Sequence, residues 1–121
     1  MFGVYINCSR YPFIEQILAL EKLYETRSRN MLKDLCGMYV YLVETGKRSV
    51  PMVKGIAKIE SCTSVPFEDV GMREAAKILG TDFDIKPGKQ KVFYKLADVK
   101  AVEPFPVPES RINHGRSYTE F

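Results

Sequence analysis

The sequence predicts an α+β domain, and three observations carry that assignment. Several short stretches alternate or are rich in β-branched and aromatic residues, two stretches have helical spacing, and the helices are dispersed among the strands rather than alternating with them. The order strand, helix, strand, strands, helix, long strand suits a curled sheet of about five to six strands, closing into a small barrel with two flanking helices.

Residues 2–6 read as the first strand. Ser9 is a candidate helix N-cap, with Pro12 acceptable in a first turn whose N–H groups are unpaired anyway. Phe13, Ile17 and Leu20 then recur at helical spacing, and the helix is expected to end near Glu21. Residues 23–27 change to alternation and read as a strand. Residues 38–43 are apolar at nearly every position, which predicts a strand buried on both faces, with Tyr39 and Tyr41 in the core or a cleft wall. A turn at 45–48 leads to a return strand at 53–61, where Gly55 marks a bulge or a close backbone approach. Met72, Ala75, Ala76 and Leu79 share one face of a helix at 66–79, capped by Gly80. After a loop at 82–90, residues 91–103 form a long strand. Pro104, Pro106 and Pro108 are expected to end ladder pairing, leaving 110–121 as an irregular tail.

At 121 residues, the chain suits one domain spanning 1–121, and 45% hydrophobic content is enough for a core without staples. No apolar run approaches a membrane span and no secretory leader is recognisable, so a cytoplasmic protein with no membrane partner is expected. Cys8, Cys36 and Cys62 are far apart in sequence and read as small buried hydrophobes; with His114 the one histidine, no metal site is expected. The net charge of +3 is too mild to announce nucleic-acid binding by itself, and sequence-specific DNA recognition is not expected. There is no Gly-rich phosphate loop and no cofactor is called for; Lys86-Pro87-Gly88-Lys89 reads as a solvated turn.

One constellation carries chemistry. On a strand from residue 23, Glu25 and Arg27 are two apart and face the same side, while Lys22 stands at the junction of helix and strand. A carboxylate between two cations stays ionised and accepts base N–H donors, and the arginine fork suits phosphate or a base face. Taken alone, the same spacing also fits an exposed strand face with a local ion pair.

A helix followed by Lys22-x-x-Glu25-x-Arg27, a β-rich body and one inserted helix resembles the ASCH family of the PUA-like superfamily. Its signature is Gly-x-Lys-x-x-Glu-x-Arg, and Leu20 stands where the signature has glycine, which implies an altered turn into the strand. The run 55–59, the helix at 66–79 and the strand around 92–96 extend the likeness over nearly the whole chain. The resemblance implies a small PUA-like β-barrel whose cleft binds RNA, a nucleotide or a modified nucleoside. One bacterial branch is instead an amidohydrolase acting on N-acylated cytidine through Lys, Thr and a distant Glu. Lys22 matches its lysine but Glu25 replaces its threonine, so a hydrolase here would use Lys22 and Glu25, with Glu68 or Glu74 as the distant carboxylate. Beside the motif, Arg29 fits either an extension of the basic rim or a solvated turn, and His114, Arg116 and Tyr118 of the tail are candidates to fold back over the cleft with stacking and phosphate contacts.

Overall fold

Apolar side chains on both faces of one strand divide the molecule into two cores. The computed structural model describes residues 1–47, 50–67, 70–82, 85, 89–112 and 117–121. Its elements are β1 (Phe2–Asn7), α1 (Phe13–Leu18), β2 (Tyr24–Arg27), β3 (Tyr39–Thr45), β4 (Met52–Phe67), α2 (Val70–Ile78), β5 (Lys89–Pro106) and β6 (Tyr118–Glu120), with single 3-10 turns at Lys33–Leu35 and Glu109–Arg111. Val40 and Leu42 of β3 join the larger core with Ile14, Ile17, Leu32, Leu35, Ile59 and Tyr94. Val43 turns the other way, to Val53 and Val107. Tyr41 packs on this second core as expected, whereas Tyr39 lies at the strand's end and is exposed.

The strands form one sheet in the order β2-β5-β4-β3-β1-β6. β1 and β3 run parallel, with α1 within the crossover between them, and the other pairs are antiparallel. The expected class, α+β, is the class observed. The expected barrel is not: among the described residues β2 and β6 are end strands, and the sheet does not close. β2 is four residues long and pairs with β5, Tyr24 to Lys95 through Arg27 to Val92, with no strand among the described residues on its other side.

Two further expectations change. Ser9 does not cap α1; Pro12 holds the N-cap position, with no side-chain hydrogen bond there. β5 runs on through Pro104 to Pro106, with Met52 opposite Pro106. Its other neighbour, β2, ends its pairing at Lys95, so these prolines lie where β5 has a described strand on one side only, which is where a sheet tolerates them.

The described C-terminal residues, 107–112 and 117–121, are not an irregular tail either. The Val107 N–H donates to the Pro51 carbonyl at 2.9 Å, and the Thr119 hydroxyl donates to the Arg111 carbonyl at 2.6 Å. β6 then pairs with β1, and Phe121 stacks at 5.1 Å from Tyr41 over the second core. Deleting residues 117–121 is therefore expected to lower the unfolding free energy by about 3 kcal/mol, from lost apolar burial and ladder bonds. Urea denaturation measures it; a loss below about 1 kcal/mol, the size of one hydrogen bond, would show that the end of the chain adds nothing to the sheet.

Candidate functional site

The site begins at the turn from α1 into β2. The Glu21 N–H donates to the Gln16 carbonyl at 2.8 Å and the Leu20 N–H to the Ile17 carbonyl at 3.0 Å, the pair of bonds of a Schellman cap. That cap needs a left-handed residue, and Leu20 supplies it at φ +60 with its side chain 64% exposed. The altered turn implied by the missing glycine is thus not found. Leu20 takes the left-handed conformation at a cost, and the Lys22 N–H is fixed on the Gln16 carbonyl at 3.1 Å. The far end of α2 leans on the same turn. Gly80 has φ +72, as its expected capping role demands, and a β-carbon there would collide with the Glu21 carbonyl.

From this turn β2 carries Glu25 and Arg27 onto one face. Glu25 is 7% exposed. Its Oε1 accepts the Thr26 N–H at 2.9 Å and lies 3.9 Å from Arg27 Nε. Among the described residues, its Oε2 is buried with no hydrogen-bond partner. Arg27 Nη2 donates to the Tyr5 carbonyl of β1 at 2.6 Å. The Tyr5 N–H donates to the Ser117 carbonyl, just ahead of β6, at 2.9 Å. N–H and C=O of one strand residue point to the same side. Arg27 thus takes up the β1 carbonyl just beyond the last ladder bond from the C-terminal strand, and its side chain spans the gap that β2 leaves open.

A cleft of about 390 Å³ lies over this bridge, lined by Glu25, Thr26 and Arg27, by Tyr5, Ile6 and Asn7 of β1, and by Phe13, Thr45 and Lys91. Lys22 is not in the lining. It is 1% exposed, with Nζ 4.8 Å from the centre of the Phe13 ring, so it stands behind the cleft wall. Glu25 is laterally backed by Tyr94, its partner across the β2–β5 ladder. The Tyr94 hydroxyl accepts the Leu32 N–H at 3.2 Å and donates to Asn30 Oδ1 at 2.9 Å. Burial, the largest cause, pushes this hydroxyl above the usual tyrosine value, which keeps its proton available for Asn30.

Glu25 and Arg27 share the cleft, with Lys22 packed behind it. Arg29 is exposed in the loop that Tyr94 anchors and does not line the cleft. Tyr118 packs edge-on against Phe2 with ring centres 5.6 Å apart, inside the sheet. His114 and Arg116 lie outside the described residues, as does Glu68. Glu74 is exposed on α2, 3.3 Å from Lys77, and not part of the cleft. Sequence reasoning did not find Tyr5, Asn7, Phe13, Thr45 or Lys91 as cleft residues. They come from four separate parts of the chain and share no spacing; only the strand order brings them together.

The fold has solved counterparts. The crystal structure of an ASCH protein from Zymomonas mobilis matches with a TM-score of 0.70 and 15% identity, covering 98% of this chain and 87% of that one. Two single-residue variants of that protein match with TM-scores of 0.66 and 0.65, at 16% and 15% identity, over 98% of this chain and 87% and 89% of theirs. The sequence matches no family model and no curated protein. At this identity the likeness shows the fold: the chain has the architecture of an ASCH domain.

Leu20→Gly restores the signature residue at a left-handed position and removes little buried surface. It is expected to raise the unfolding free energy by about 1 kcal/mol, through release of the β-carbon clash. Urea denaturation reads this, and a destabilised variant would contradict the assigned backbone conformation.

Proposed function

We propose that the cleft binds a single-stranded RNA segment or a nucleotide, modified nucleosides included. The observation that carries this reading is Glu25 Oε2, a buried acceptor beside an open cleft with no donor among the described residues. A buried polar atom left in that state costs on the order of 1–3 kcal/mol, and a ligand N–H placed there recovers it. The exocyclic amino group of a nucleobase is such a donor. Phe13 offers an aromatic wall for the base, and Arg27 and Lys91 bring positive charge for the phosphate. The cleft's volume lies within the range of small-ligand pockets. The ASCH-type architecture agrees with a module of this kind.

The hydrolytic reading has less support. An amine acting on an acylated base must meet it, whereas Lys22 is buried behind Phe13. The exposed Glu74 lies apart from the cleft, with its carboxylate beside Lys77. No described helix is long and apolar enough to cross a membrane. The free cysteines support a cytoplasmic setting. His114 and Arg116 are our candidates for outer phosphate contacts.

Fluorescence anisotropy with short single-stranded RNAs of each base composition tests this. Wild-type affinity is expected to fall steeply with added salt, because phosphate contacts release counterions. Arg27→Ala is expected to weaken binding of every RNA by about tenfold or more. Glu25→Gln keeps the shape but turns an acceptor-only group into part donor, and is expected to change the order of base preference. Identical affinities for wild type and both variants would rule out this cleft as the binding site.

A further inference from the structure

The face of the sheet turned away from the larger core carries a second hollow. β5 sends Val92, Tyr94 and Leu96 into that core, so Lys91, Phe93 and Lys95 face the other way. The ladders extend this face on both sides. Tyr24, Lys95 and Ser61 form one cross-strand row, and Thr26, Phe93 and Thr63 form the next. α2 lies over these rows: its Ala76 is 1% exposed, and the Leu23 N–H, donating to the Leu79 carbonyl at 3.1 Å, pins the helix end beside the start of β2. A hollow of about 250 Å³ remains between helix and sheet, floored by Tyr24, Phe93, Ser61 and Thr63 and overhung by Ala75 and Leu79.

The hollow adjoins the cleft. Thr26 lines the cleft and is the ladder partner of Phe93; Lys91 lines the cleft and is the ladder partner of Val65, which lines the hollow. Lys91 and Phe93 are two residues apart on one strand, about 7 Å. The sugar–phosphate linkage of one nucleotide spans such a distance. Inside the hollow the Tyr24 and Phe93 ring centres are 6.0 Å apart and the rings nearly perpendicular, at 82°. A flat ring can stack on one of them and meet the edge of the other. β5 therefore presents cation, ring and cation at a period of two, with the outer cation, Lys95, half-exposed and 3.9 Å from Glu60. An apolar side chain of a protein would use the rings and leave the lysines idle, whereas a base joined to phosphate uses both. The volume lies below that of pockets for drug-sized molecules and suits a single base.

We propose that the hollow is a second base subsite, which makes the ligand a segment of at least two nucleotides. The inference rests on the reading of the cleft as the site of the first base. That base lies in the cleft at Glu25. Its neighbour stacks on Phe93 against Tyr24, with the Ser61 and Thr63 hydroxyls at its edge, and the linking phosphate crosses Thr26 at the level of Lys91. Stacking uses a π-face that every base has, so this subsite adds affinity with little base preference, and the preference is set at Glu25.

Calorimetric titration of the whole protein with the dinucleotide of two cytidines, and with its two analogues in which the 5′ or the 3′ residue lacks a base, tests this. All three ligands carry the same phosphate charge. The full dinucleotide is expected to bind about tenfold more tightly than either analogue, the size of one stacked base. Phe93→Leu, which removes the ring but keeps an apolar side chain, is expected to bring that ratio to about one. So is Ala75→Phe, which fills the hollow from an exposed helix position and removes nothing from the sheet. Equal affinity of the wild type for all three ligands would overturn the second subsite, and the cleft reading would stand if Arg27→Ala weakened all three. Binding of none of them would overturn both readings. A tenfold ratio that survives in both variants would also overturn the second subsite, and would assign the hollow to an apolar side chain of a protein partner.

Discussion

Arg27 holds together two strands that have no ladder between them. Its guanidinium reaches from β2 to the Tyr5 carbonyl of β1, at the point where the C-terminal strand stops supplying hydrogen bonds. A backbone acceptor on an inner strand needs some partner, and a charged donor makes a stronger bond than a neutral one. Because the bridge is a side chain, the sheet stays open there and solvent reaches its inner face. A ladder between β2 and β1 would fill the same gap with backbone. The cleft thus exists because the sheet falls one pairing short of closure.

The opening exposes a carboxylate that the rest of the fold has already positioned. The Schellman cap at Leu20 sets where β2 starts, the β5 ladder fixes its register, and Tyr94 stands beside Glu25 on the neighbouring strand. Oε1 is held by Thr26 and Arg27, which leaves Oε2 as the group with bonding capacity unspent. Lys22 serves a different end from the one its spacing suggests. Packed on Phe13, it supports the aromatic wall from behind.

Much of this arrangement is readable in the sequence, for physical reasons that differ by element. Local patterns with strong periodicity, such as the helix around Ile14 and Ile17 and the doubly apolar β3, appear where their spacing puts them. So does the shared face of Glu25 and Arg27, which follows from the period of two in any strand. The β3–β4 pair is likewise legible from its turn. Non-local features are not: the parallel β1–β3 pairing, the return of the last residues as β6 and the failure to close all depend on which strands meet. Prolines misled the reading at Pro104 and Pro106, because the rule for ending a ladder supposes strands on both sides. The missing glycine misled it too, since Leu20 accepts the strain.

The proposed ligand site is the gap between β1 and β2. Backbone amide chemical shifts during titration with cytidine monophosphate test it most directly, because they report position without altering any residue. The largest changes are expected on Tyr5, Asn7, Thr26, Arg27 and Thr45, diminishing as salt is added. Changes centred instead on Ser61, Thr63, Ala75 and Ala76, which line a separate hollow under α2, would contradict it.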